Sequence, residues 1–389
     1  LSAESGLPAG WDTVEAAIDA GWIAARAIEL IEIPSVTMDE AAVCQMYEQQ
    51  LRDLGLDVDV RQVTPGRNNL YVRIPGTGNG PALMLNGHLD TIPIGSAWPV
   101  YRDGDRIYGR GSTDMKGGMA AILGTARALR ESGVRLAGDL WLSAVVGHEE
   151  PEAEKDGPLA LIDDLRSGRI GGDRILIVEG RDALWVMSMG SMVFTIRMTS
   201  NKGGMHTQYV PFSDNPIRVV GDLIQRIAAF QQELDAGSVH HLAGPERIDL
   251  GIVQSGDYFN RTPTESILTG TRRWGPGRTA NDILEELRGL AAPLADAARL
   301  TLEVTMEHER EPFETPSDDP AVVAAATAHR AVTGSEVETV GLRIVGDANI
   351  YVHGSGVPTF YYGPSNETAH ADAARVYALT ALLYCGVTA

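Results

Sequence analysis

Three short apolar runs constrain this chain more than any other feature: Ala82-Leu83-Met84-Leu85-Asn86, the 139–146 segment with Leu140, Leu142, Ala144 and Val146, and Ile175-Leu176-Ile177-Val178. Each is strand-length, and stretches of helical spacing at 115–131 and 158–166 separate them. Upstream, Val14, Ile18, Trp22, Ala25, Ile28 and Ile31 recur every three or four residues, predicting a helix over 11–32. Thr37 followed by Glu40 has the form of a capping box and predicts a second helix ending near Gly55. Strand-like runs follow at 56–63 and 69–74. Alternation of this kind predicts an α/β domain, a mixed sheet with helices on both faces.

The rhythm changes near Met189. Residues 190–311 read as strand 191–199, helix 216–235, strands 248–254 and 266–274, helix 281–297 and strand 299–308. Two helices on one face of a small, largely antiparallel sheet make an α+β module. The first rhythm then resumes, with a helix at 320–332 closed by Gly334, a strand at 357–362 and a last helix at 371–385. The expected organisation is one domain of 1–189 and 312–389, interrupted by an inserted domain of 190–311. A chain of 389 residues is long enough for two cores.

Charge narrows the partners. With 52 acidic and 32 basic residues the net charge is −20, a field that repels phosphate backbones and anionic membranes. Nucleic acid and lipid are therefore not expected as partners, and a small-molecule substrate is. Cys44 and Cys385 are too far apart in sequence for a disulfide framework or a thiolate metal site, so both are expected as buried helix thiols. No apolar stretch is long enough to span a bilayer. The start, Leu1-Ser2-Ala3-Glu4, has neither an initiator Met nor a signal-peptide apolar core. A cytoplasmic protein is the expectation, with a removed signal peptide left open.

Five segments place metal-competent residues just beyond predicted strands, where open α/β sheets gather their ligand sites. In Asn86-Gly87-His88-Leu89-Asp90, His88 and Asp90 lie two apart and leave an extended segment on one face. Asp90 is thus placed to fix the His88 tautomer for metal binding. Asp114 closes the Gly-rich segment 109–118 at a helix mouth, where it could equally be an N-cap. Neither phosphate-loop spacing fits that segment. In Gly147-His148-Glu149-Glu150-Pro151 two adjacent carboxylates end an apolar strand and repel each other unless a positive charge lies beside them. A metal ion supplies such a charge, leaving one Glu to ligate and its neighbour to take a proton from water. Glu179 ends the third apolar run, and His370 lies between the last strand and the last helix. One Asp, two Glu and two His suit two divalent ions, Zn²⁺ foremost and Mn²⁺ or Co²⁺ after it.

Taken in order, GHLDTIP (87–93), YGRGSTDMKGG (108–118), HEEP (148–151), IVEG (177–180) and the GP…AH segment (363–370) resemble the dinuclear-zinc metallopeptidase family of carboxypeptidase G, aminoacylase, acetylornithine deacetylase and succinyl-diaminopimelate desuccinylase. The resemblance spans nearly the whole chain. It implies that Asp114 bridges both metals, that His88 and Glu179 complete one and that Glu150 and His370 complete the other. It also implies Asp90 as the partner of His88, Glu149 as general base and a cis Asp114–Met115 bond. The inserted domain would be the family's lid and dimerisation domain, and the protein a homodimer through it. There His206 would polarise the scissile carbonyl, with Asn260, Arg273 and Gly346 contacting substrate.

The expected reaction is hydrolysis of an amide C–N bond in an N-acyl amino acid or small peptide, by water activated between two cations with Glu149 as base. Thr271 and Ala374 stand where the family often has acidic residues, which keeps open a catabolic hydrolase of a non-peptide C–N bond, an aromatic amine or amide. A non-catalytic metal-binding relative is a lesser alternative, and the presence of Glu149 argues against it. A mononuclear metalloprotease would need HExxH, which the chain lacks.

Overall fold

The computed structural model describes residues 6–96, 99–149, 153–180, 183–365 and 369–388. The N-terminal periodicity spans two helices, not one. α1 (Trp11–Ala16) and α2 (Ala20–Ile31) part where the Asp19 carboxylate accepts the Trp22 N–H and caps α2. α3 (Ala41–Asp53) forms without the expected capping box, because both of its members have distant partners: Thr37 donates to Asp90, and Glu40 pairs with Arg67. Next come β1 (Val58–Thr64), β2 (Arg67–Ile74), β3 (Leu83–His88) and a hairpin absent from the sequence reading, β4 (Tyr101–Asp103) and β5 (Arg106–Tyr108). α4 (Lys116–Ser132), β6 (Leu140–Val145), α5 (Asp156–Arg166), β7 (Arg174–Ile177) and β8 (Ala183–Ser188) continue the alternation. The middle of the chain forms β9 (Gly190–Ser200), α6 (Pro216–Ala236), β10 (Arg247–Ser255), β11 (Glu265–Trp274), α7 (Ala280–Ala297), β12 (Leu300–Arg310) and β13 (Phe313–Glu314). α8 (Pro320–Thr333), β14 (Glu338–Leu342), α9 (Asp347–Ser355), β15 (Thr359–Tyr361) and α10 (His370–Cys385) complete it.

One compact unit comprises Leu1–Val186, Thr315–Val340 and Ile350–Ala389. Its sheet runs β1-β2-β6-β3-β7-β15-β8. β3 is parallel to β6 and β7, and β15 to β7, whereas β1–β2, β2–β6 and β15–β8 pair antiparallel. The sheet is therefore mixed, with a parallel centre. Every residue of β3 is buried, the mark of a strand covered on both faces. α4 is buried from Lys116 through Ala126, so it runs through the unit's core and not over its surface. Cys44 on α3 and Cys385 on α10 are buried free thiols. Among the described residues no helix is long and apolar enough to cross a membrane.

α4 lies close to the end of β7, and Gly118 permits the approach: a Cβ there would stand 2.1 Å from the Val178 carbonyl oxygen. That neighbour is backbone and cannot swing aside. Gly118→Ala is therefore expected to destabilise the protein by about 1–3 kcal/mol in urea or thermal melts, despite alanine's better helix propensity. Unchanged or raised stability would remove the close-approach argument.

The second unit comprises Met187–Glu314 and Gly341–Asn349. It is wider than the 190–311 insert expected from the sequence. Ser188 and Met187 pair with Phe313 and Glu314, and the Asn349 amide donates to the Glu311 carbonyl at 2.7 Å. These are long-range contacts that periodicity does not report. Its four-stranded sheet, β10-β11-β9-β12, is antiparallel throughout. β9 buries alternate residues, and Phe194, Ile196 and Met198 pack with Val219, Leu223, Ile283 and Leu287 of α6 and α7. Two helices thus seal one face of the sheet. A Thr279–Asp282 capping box opens α7.

Candidate metal centre

The parallel register of the first unit's sheet brings the strand ends together. His88 pairs across from Val145 at the end of β6, and Asn86 from Ile177 at the end of β7. Whatever follows these strands must share one edge of the sheet: His88–Asp90 after β3, Gly147–Glu149 after β6 and Glu179 after β7.

His88 is buried, with oxygen at both ring nitrogens. Nε2 lies 3.0 Å from Asp114 Oδ1 and Nδ1 lies 2.9 Å from the Asp90 carbonyl. The Asp90 carboxylate, expected to fix the His88 tautomer, stands farther away from Nδ1 than the Asp90 carbonyl does, at 3.5 Å. That carboxylate has other work: it accepts the N–H of His148 at 3.1 Å, the N–H of Glu149 at 2.9 Å and the Thr37 hydroxyl at 2.9 Å. Asp90 therefore pins the turn that presents Glu149 to the end of β3. Burial disfavours a charged His88 ring, but the hydrogen bonds and charges of Asp114 and Asp90 outweigh it and hold its pKa well above the ordinary value. Burial likewise raises the Asp90 carboxyl, and His88, His148 and the turn's N–H groups overcome that and lower it. The carboxylates of Asp114 and Asp90 thus flank His88 on its two sides.

His148 was not singled out from the sequence. Its ring stacks on His88 with centroids 4.0 Å apart and planes 9° from parallel. Each of His88, His148 and Glu179 offers one ligand atom, and these lie within 4.8 Å of one another. Its position beside Glu149 was the available signal. Glu149 is half-buried, and its carboxylate takes no hydrogen bond from the described residues. Glu150, an expected ligand, lies outside the described residues.

His370 begins α10. Its Nε2 comes within 2.5 Å of where a Gly117 Cβ would stand, on the same loop and helix start that carry Asp114. Burial lowers its pKa, more than the Ser112 backbone raises it, and so favours the neutral imidazole that ligates metals. The Asp114–Met115 peptide is cis.

The remaining candidates belong to the second unit. His206 Nε2 lies 3.1 Å from the Asn260 side-chain amide, while the Gln208 N–H approaches its Nδ1 at 3.3 Å. Arg273, on β11, has its Nη1 buried without a hydrogen-bond partner among the described residues. The Gly346 N–H donates to Asn349 Oδ1 at 3.0 Å.

Residues 84–387 match the peptidase family M20/M25/M40. A succinyl-diaminopimelate desuccinylase of Dinoroseobacter shibae is 27% identical over 302 residues, covering 74% of this chain and 77% of that protein. The fold is similar to that of the aminopeptidase PepT from Bacillus cereus, with a TM-score of 0.77 at 16% identity, covering 94% of this chain and 98% of the other. It is also similar to the Bacillus subtilis YXEP protein, described as a dinuclear metal-binding peptidase, with a TM-score of 0.69 at 16% identity over 92% and 96% of the two chains.

Proposed function

This chain belongs to peptidase family M20/M25/M40, a family of hydrolases, and from that premise we propose that it cleaves the amide bond of an N-acyl amino acid or short peptide with two bound divalent cations. One observation carries the reading. The Asp90 carboxylate holds the backbone of His148 and Glu149 beside the buried His88, whose Nε2 meets the exposed Asp114 carboxylate, setting a carboxylate base next to a set of metal-competent side chains.

The residues fit a metal. His88, His148 and Glu179 each bring one ligand atom within 4.8 Å of the others, and His88 Nε2 lies 3.0 Å from Asp114 Oδ1. In our reading Asp114 would be shared by the two ions, with His88 and Glu179 holding one and Glu150 and His370 the other. Zn²⁺ leads, with Mn²⁺ or Co²⁺ as alternatives. Bound there, the cations supply Lewis acidity, acidifying water and drawing electrons from a carbonyl oxygen. Glu149 takes the proton of the attacking water and returns it to the leaving nitrogen. Asp90 keeps the Glu149 turn in place. His206, oriented by Asn260, polarises the scissile carbonyl, and Arg273 and Gly346 contact the substrate.

The inserted 190–311 segment serves as the lid and as the interface of a homodimer. Two buried free thiols suit a reducing, cytoplasmic setting. Hydrolysis of a non-peptide C–N bond is not favoured, since the curated relatives carry the name desuccinylase and the similar structures include peptidases.

Elemental analysis of the purified, metal-saturated protein is expected to find about two ions per chain, and chelation to abolish turnover. Full activity with one tightly bound ion would sink the two-metal scheme. A screen over N-acyl amino acids, dipeptides and aromatic amides then tests the reaction itself.

A further inference from the structure

Away from the metal centre, a second group of metal-competent side chains comes together among the described residues. His240, His241 and Glu314 each place one ligand atom within 4.8 Å of the other two. All three belong to the second unit. The histidines lie on the loop between α6 and β10, and Glu314 ends β13.

Neighbouring side chains on an extended segment leave on opposite faces, so two consecutive histidines do not by themselves form a chelate. Here the loop turns back on itself. The Gly244 N–H donates to the His240 carbonyl at 2.8 Å, with Gly244 at φ +76. The two rings end with centroids 4.8 Å apart and planes tilted by 35°. The turn is also braced from outside: Arg343 Nε donates to the Ala243 carbonyl at 3.0 Å. A Cβ at Gly341 would stand 2.7 Å from the Leu242 Cβ, so the loop packs tightly on that segment. Glu314 is fixed by its own strand, paired with Met187 of β8. Its Oε2 reaches within 3.4 Å of His240 Nε2 across 74 positions of sequence. The His240 side chain is 19% exposed.

A plain His–Glu hydrogen bond accounts for less of this arrangement than a cation does. At 3.4 Å the contact is long for such a bond. The His241 ring, turned toward the same point, takes no hydrogen bond from the described residues. Two neutral imidazoles leave the carboxylate charge unbalanced, and a chain of net charge −20 attracts cations.

We infer that His240, His241 and Glu314 bind a divalent transition-metal ion, separate from the metal centre of the first unit. Two imidazoles and one carboxylate suit Zn²⁺, with water completing its coordination. The ion displaces the His240 Nε2 proton to solvent. The ring then carries its proton on Nδ1 and gives up the 3.3 Å approach of the Leu242 N–H. Once bound, the ion clips the α6–β10 loop to β13, and a clip across so long a segment constrains the unfolded chain strongly. Three donors hold an ion less tightly than a closed four-ligand site, so this one exchanges freely and is lost on purification.

The test is equilibrium dialysis against free Zn²⁺, using full-length protein that already carries its tightly bound ions. Wild type is expected to take up about one further ion per chain, and His240→Gln/His241→Gln and Glu314→Gln to bind it roughly tenfold or more weakly. Hydrogen exchange over residues 237–246 should slow on adding Zn²⁺ to wild type and stay unchanged in the variants. His241→Gln alone, at an exposed position, keeps the comparison readable should the double variant unfold. No further uptake by wild type, or equal uptake by wild type and variants, overturns the site. Uptake without slower exchange in the loop overturns the clip. None of these readouts is turnover, so the result stands apart from the amide-hydrolase reading.

Discussion

Glu149→Gln is expected to retain fold and metal while losing turnover by roughly 10²–10⁴-fold, the range for removing a positioned general base. The substitution is nearly isosteric, and the backbone that places residue 149 is held by its own N–H on the Asp90 carboxylate at 2.9 Å, which the change leaves intact. The loss should therefore appear in kcat, with KM and the metal-to-protein ratio close to wild type. Asp90→Asn separates positioning from chemistry. It weakens an acceptor shared by His148, Glu149 and Thr37, so its defect should include a looser protein as well as a slower one. Near-normal kcat in Glu149→Gln would take the proton-transfer role away from this residue.

Much of the fold class was legible because it is written locally. Apolar runs at β3, β6 and β7, with helical spacing between them, already specify a sheet covered on both faces, and the change of rhythm near Met189 marks an α+β module. What the sequence hid depends on register or on distant partners. His148 stacks on His88 because β3 and β6 pair in parallel with His88 opposite Val145, and no local pattern encodes that. Thr37 and Glu40 have the spacing of a capping box, yet a carboxylate 53 residues away takes the Thr37 hydroxyl and a guanidinium 27 residues away takes the Glu40 carboxylate. A charged hydrogen bond in a buried site outweighs a helix cap. The β4–β5 hairpin leaves no local signal, because its three-residue strands are largely exposed and too short to show a pattern.

The same competition supplies the largest stability effect expected outside the metal centre. Arg67→Met should destabilise the protein by about 3–5 kcal/mol, because it leaves a carboxylate buried without its counter-charge. Glu40 is fully buried; its Oε2 accepts from Arg67 Nε at 2.7 Å, and its Oε1 from Nη2 at 2.9 Å. The same guanidinium also pairs with Asp156 through Nη1 and Nη2. Glu40 Oε1 additionally takes the Gly147 N–H at 3.1 Å, so this charge cluster lies directly under the turn leading to Glu149. Gly147 is at φ +63, and a Cβ there would stand 2.1 Å from Asp156 Oδ1 and 2.5 Å from Arg67 Nη2, so only glycine fits over the cluster. Removing Arg67 should therefore lower kcat as well as stability, since the turn loses its support from below while Asp90 still holds it from the side. The double variant Arg67→Met/Glu40→Gln removes the stranded charge and should recover part of the stability, giving a strongly non-additive double-mutant cycle in urea unfolding. It should recover less of the activity, because the neutral amide holds the Gly147 N–H more weakly than the carboxylate does. A single-variant loss below about 1 kcal/mol would mean that water or rearrangement compensates Glu40, and the turn's support would then have to come from Asp90 alone.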